Sequence, residues 1–182
     1  MADGSRGSPS DLGAHPILLY DGVCGLCNRL AQFVLRRDPG GVFRFASLQS
    51  SQAERILARH GADAGDLDTV YVVVHAEQAD EELLARSDAV IFVLRHLGEA
   101  SLRLAGPFGF AQGRLAKAPV PTQAGATATA IWRVAGALLR IVPRVVRDWG
   151  YGVVARYRYR VFGRYDACPL PSEDTRWRFL DR

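Results

Sequence analysis

The sequence predicts an α/β fold: a small mixed sheet with flanking helices, extended at the C-terminus by further helices. Three observations predict it. Short apolar runs that read as strands alternate with amphipathic helical stretches between residues 16 and 98. The two most apolar runs, 17–20 and 70–74, are unbroken, as in strands covered on both faces. At 182 residues and 48% hydrophobic content, the chain suits one core with an extension.

Residues 1–14 are polar and rich in Gly and Ser, and are expected to be disordered. The core is expected over 15–102. Ile17-Leu18-Leu19-Tyr20 reads as a buried strand that Asp21-Gly22 ends. A helix follows from about Cys24 to Arg37, with Cys27, Leu30, Phe33 and Val34 on one stripe. Arg36 and Arg37 suit its C-terminal end, and Asp38-Pro39-Gly40-Gly41 stops it. Val42–Ala46 reads as a second strand, placed at an edge with one wetter face by Arg44. Ser51-x-x-Glu54 reads as a capping box opening a helix through His60, closed by Gly61. Val70–Val74, β-branched and aromatic, is the strongest strand. A turn through Gln78–Glu81 returns a weaker strand near Leu83–Arg86. Ser87 then caps a helix over Asp88–Leu97 that ends at Gly98. The order is β-α-β-α-β-β-α, with the first two strands parallel through a right-handed crossover. That is the arrangement of a minimal thioredoxin-like sheet.

Residues 103–130 change to Gly, Ala, Pro, Thr and Gln without a period, and read as a flexible insertion. The remainder, 131–182, reads as a helical extension packing on the core. Its helices span about 130–142 and 144–162, with Pro143 between them. Trp132, Ala135, Leu138, Leu139 and Val142 form one apolar face. Val145, Val146, Trp149, Val153 and Tyr157 form the other, and both faces are expected to be buried. The tail after Gly163 is expected to be mostly irregular.

The formal charge is +4, and the excess is arginine concentrated after residue 131. Such a region can serve nucleic acid or an anionic membrane surface, but a solvated helix face is the plainer reading. No nucleic-acid partner is expected, and at most a weak surface association. Neither a signal-type apolar segment nor a run long enough to span a bilayer is seen, so a cytoplasmic protein is expected.

Three cysteines do not make a disulfide scaffold, and two of them are spaced Cys-x-x-Cys. Cys24 falls at a helix start after a central strand. There, unpaired N–H groups and the helix dipole favour the thiolate, the attacking species. Cys27 lies one turn deeper on the same side. Cys24 is therefore expected to be the more exposed, nucleophilic sulfur, and Cys27 the resolving one. The expected partners are a protein or small-molecule disulfide or thiol and an unidentified reductant, with no cofactor. Two other readings stay open. The pair could be half a zinc site completed by Cys168 and a histidine, although no second Cys-x-x-Cys exists. It could also sit, inert, in a non-catalytic interaction module. Asp21, three residues before Cys24, is read either as an acid-base group facing Cys27 or as a cap.

Tyr20-Asp21-Gly22-Val23-Cys24-Gly25-Leu26-Cys27-Asn28 resembles the signature of the DCC family of predicted thiol-disulfide oxidoreductases. Further landmarks follow in family order: Arg36-Arg37-Asp38, Phe43-Arg44-Phe45-Ala46, Leu48-Gln49-Ser50, Arg86-Ser87-Asp88-Ala89 and Tyr159–Arg164, then Cys168 and Pro171. The resemblance implies a thioredoxin-like fold and redox chemistry, with Asp21, Cys24 and Cys27 inheriting the site by motif position. The 103–130 segment departs from the family pattern. Asp68-Thr69 stands where thioredoxins carry a proline before the third strand, so partner recognition should differ.

Overall fold

The structure, a computed structural model, describes residues 13–63, 65–104, 124–166 and 173–181; for 98–104 and 124–130 it describes the backbone alone. Four short strands form one mixed sheet: β1 (Ile17–Tyr20), β2 (Arg44–Ser47), β3 (Tyr71–Val74) and β4 (Glu82–Ala85). Their order is β2-β1-β3-β4. β1 runs parallel to β2 and antiparallel to β3, which pairs antiparallel with β4. The two unbroken apolar runs are therefore the sheet's centre, as the sequence predicts. Around it lie α1 (Gly25–Arg37), α2 (Ser51–Arg59) and α3 (Arg86–Leu104), followed by α4 (Ala124–Ile141) and α5 (Arg144–Phe162). This is the expected thioredoxin-like α/β arrangement with a helical C-terminus.

Strand alternation divides the core into two halves. Leu18, Tyr20, Phe45 and Val72 face α1 and α3. Ile17, Leu19, Ala46 and Val73 face α2 through Ile56 and Leu57. α4 packs along α3, while α5 packs against both α1 and α3.

Five local expectations need correction. The second helix is capped by Ser50 rather than Ser51: its hydroxyl accepts the Ala53 N–H at 3.2 Å, and Ser51 is already helical. α3 does not stop at Gly98 but continues to Leu104, because glycine only weakens a helix that tertiary packing supports. Ser87 does not cap it; its hydroxyl donates to Asp148 on α5 at 2.5 Å. β2 is an edge strand without a wet face, since all four of its residues are buried. The C-terminal tail covers it. Phe179 bridges to Phe45 and stacks on it, with ring centroids 5.2 Å apart, and the Leu180 N–H donates to the Phe45 carbonyl at 2.8 Å. Residues 103–104 and 124–130, expected in a flexible insertion, are helical; 105–123 lie outside the described residues, as do 1–12.

Arg178 anchors that tail. It donates to the Asp38 carboxylate, to the Asp38 carbonyl at 3.0 Å and to the Phe43 carbonyl. The same carboxylate accepts the Val42 and Phe43 N–H groups, so the turn after α1 is built around one buried ion pair.

Candidate active site

β1 ends at Tyr20 and the chain turns through Asp21-Gly22-Val23 into α1. Cys24 is the N-cap residue of that helix and Cys27 lies in its first turn. The two cysteines approach to 3.5 Å, and both are free thiols. The loop between strand and helix is held by side chains on either side of it. Asn28 donates from its amide to the Gly22 carbonyl at 2.6 Å and to the Cys24 carbonyl at 3.0 Å. Gln49, from the turn after β2, accepts the Gly22 N–H at 3.0 Å and donates to Asp21 at 2.8 Å.

Neither sulfur is open to solvent. Cys24, expected to be the more exposed, is 0% accessible, against 3% for Cys27. The cause is the segment that leaves α5. The Tyr165 N–H donates to the Val23 carbonyl at 2.8 Å, the Gly25 N–H donates to the Gly163 carbonyl at 3.1 Å, and Cys24 forms an antiparallel bridge with Arg164. This strap crosses so closely that a Cβ at position 25 would stand 2.1 Å from the Phe162 carbonyl oxygen. Gly25 thus admits the close approach of the chain's own backbone.

Cys27 lies in an environment that disfavours its charged form. Burial pushes the Cys27 thiol up to about 12, and the neighbouring Cys24 adds to the rise. The Arg158 cation and the backbone N–H of Asp21 pull the other way. Burial thus biases Cys27 toward its protonated form.

Asp21, itself completely buried, lies at the centre of a polar cluster. One carboxylate oxygen accepts the Val23 N–H at 3.1 Å and the Gln49 amide at 2.8 Å. The other accepts Arg158 at 3.2 Å and the Tyr159 hydroxyl. Burial, and the hydrogen bond given to Asp21, push the Tyr159 hydroxyl up to about 12, so it is a fixed donor. Four donors thus occupy the carboxylate, and what Asp21 presents to Cys27 is its backbone N–H.

Arg158 was read from sequence as one of several solvated arginines, yet it is 2% exposed. It reaches Asp21, the Tyr159 hydroxyl at 2.9 Å and Asp68 at 3.3 Å. The signal that would have found it is periodicity. Tyr151, Ala155, Arg158 and Tyr159 share one side of α5, and that polar-aromatic side faces inward. The apolar stripe expected to be buried, Val145, Trp149, Val153 and Tyr157, points outward.

Beside Cys27 a cavity of about 330 Å³ opens between α1, α3, α4 and α5. Leu26, Leu30, Ile91, Tyr151 and Val154 line it, with Arg158 at its edge. The Tyr151 hydroxyl accepts the Val70 N–H at 2.8 Å and so fixes the segment before β3, which contains no cis peptide.

No group of three or more potential metal ligands gathers among the described residues. His60 pairs with Glu81, His75 with Asp80, and His96 stacks on Phe92. Cys168 lies outside the described residues. Among them, too, no helix is long and apolar enough to cross a membrane.

Residues 18–117 match the model of the DCC1-like thiol-disulfide oxidoreductase family. The uncharacterized protein YuxK of Bacillus subtilis is 33% identical over 164 residues, covering 90% of this chain and 93% of that protein. A DCC family protein of Arabidopsis thaliana, described as chloroplastic, is 30% identical over 155 residues, covering 85% of this chain and 69% of its own length. No solved structure matches.

Proposed function

The chain belongs to the DCC1-like thiol-disulfide oxidoreductase family, and from that premise we propose that it exchanges disulfides through Cys24 and Cys27. The observation that carries the reading is the free pair, 3.5 Å apart at a helix start, in which Cys27 is biased toward its protonated form. Cys24, at the positive end of α1, supplies the attacking thiolate once strap 163–165 moves aside. Its sulfur bonds to one sulfur of the substrate disulfide, whose other sulfur leaves as a thiolate. Cys27 then gives up its proton and displaces the remaining substrate thiol, leaving a Cys24–Cys27 disulfide. Two electrons and two protons pass to the substrate, and an external thiol reductant returns the pair to its dithiol form.

Asp21 is a positioning residue in this reading. It fixes Arg158, whose cation favours the Cys27 thiolate needed for resolution. The substrate is a protein or small-molecule disulfide whose apolar portion fits the cavity beside Cys27. The absence of a disulfide scaffold from the cysteine usage supports a reducing compartment such as the cytoplasm.

The test is equilibration of the protein in glutathione redox buffers, with mass analysis of the cysteines. A reversible Cys24–Cys27 disulfide is expected, with a potential near about −270 mV for a reductant or about −120 mV for an oxidant. Cys27→Ser should trap a mixed disulfide on Cys24. One bound zinc per chain, lost on Cys24→Ser, would defeat the redox reading in favour of a metal site.

A further inference from the structure

The C-terminal helices wear part of their apolar surface on the outside. On α4, Ile131, Val134, Leu138 and Ile141 recur at three- and four-residue spacings and are all exposed. On α5, Val145, Trp149, Val153, Tyr157 and Val161 recur at every fourth position and are exposed as well. The values are extreme for large apolar side chains: 79% for Ile141, 81% for Val145 and 73% for Trp149. Apolar stripes of this length on two successive helices mark an interaction surface.

Charge says what kind. Between residues 131 and 162 stand seven arginines and one acid, Asp148. That acid is already engaged by Ser87 and Arg144. Arg133, Arg140, Arg144, Arg156 and Arg160 are exposed beside the apolar stripes. A second copy of the chain would bring like charges together across the interface. An anionic bilayer offers what both features need: an apolar layer for the valines and isoleucines, an interfacial zone for Trp149 and Tyr157, and anionic headgroups for arginines that extend around them. We propose that α4 and α5 form a peripheral docking surface for an anionic lipid bilayer, lying in its interface without crossing it.

The test is flotation of the full chain with vesicles of phosphatidylcholine alone and of phosphatidylcholine mixed with phosphatidylglycerol, at low and at physiological salt. The protein is expected to float with the anionic vesicles, less so as salt rises, and not with the neutral ones. The double variant V145S/W149S should weaken partitioning by about tenfold or more. R156E/R160E should weaken it similarly, and both should keep the wild-type thiol-disulfide equilibrium, since none of these residues touches the cysteine site. Three results would each overturn the proposal: no flotation with anionic vesicles at low salt; flotation that V145S/W149S leaves unchanged; or a dimer in sedimentation that V145S/W149S dissociates, without any vesicle binding. The last would assign the face to a second copy, and capture of an acidic protein without lipid binding would count against it equally.

Discussion

At the scale of single residues, the site is governed by which charges are buried with which partners. Asp21 and Arg158 are both out of solvent, and Asp68 gives Arg158 only a partial second partner from an exposed position. Removing one charge of such a pair strands the other, which costs about 3 kcal/mol or more. Asp21→Asn is therefore expected to lower stability by about 3 kcal/mol in urea denaturation. If Asp21 were instead the base for Cys27, stability would hold while resolution slowed by about 10²-fold. Rapid-quench trapping, with the mixed disulfide accumulating in an otherwise stable Asp21→Asn protein, would establish the base. Cys27 gives a pH prediction. Burial lifts the folded thiol to about 12, above the ordinary thiol value of 9.0, so above pH 9 the unfolded chain sheds this proton first. The stability it contributes is complete below pH 9 and is lost as pH rises toward 12. Alkaline denaturation of the reduced protein should accordingly be less steep in Cys27→Ser. The cysteines and Asp21 were legible in the sequence because motif spacing and local context identify them. For Arg158 the periodicity of α5 could have marked the inward side, but not its partner, which lies 137 positions away and is supplied only by the fold.

At the scale of elements, the strands and α1 follow from local pattern, and the misreadings fall where tertiary contact overrides it. β2 looked half-wet because Arg44 interrupts it, but the tail from a distant part of the chain buries that face. α5 was read inside out: its valines dominate any hydrophobicity count, while its buried side carries tyrosines and an arginine whose polar atoms all needed particular partners. The strap at 163–165 was marked in the sequence only through the landmark Tyr159–Arg164, and nothing there placed it over the cysteines. It nonetheless covers Cys24, through two backbone hydrogen bonds made on either side of that residue. Tyr165→Pro deletes the N–H given to Val23 and so weakens the strap by about one hydrogen bond, roughly 1 kcal/mol. Alkylation of Cys24 by limiting iodoacetamide should then rise about fivefold, with Cys24 still labelled before Cys27. An unchanged rate would mean that the reagent reaches the sulfur by another route, and the cavity beside Cys27 would be the first to consider.

At the scale of the whole molecule, the question is whether the sheet and its first three helices make a self-sufficient unit. The family match ends at residue 117, and the strand order closes by residue 85. The energetics argue otherwise. The strand-to-helix turn that holds the cysteines buries Asp21, whose cation comes from α5. The turn after α1 buries Asp38, whose cation is Arg178 in the tail. A chain ending at residue 104 would keep both carboxylates and lose both arginines. Both turns would thereby lose the ion pair and the covering segment that order them. Truncation would also uncover Phe45 and the apolar cavity walls contributed by α1 and α3. Residues 1–104 alone are therefore expected to show no cooperative thermal transition and to associate in sedimentation, whereas co-expression with residues 124–182 should restore a soluble, cooperatively melting complex. A monomeric 1–104 fragment with a sigmoidal melt would show that the two buried pairs are dispensable, and that α5 and the tail serve only to cover the cysteines.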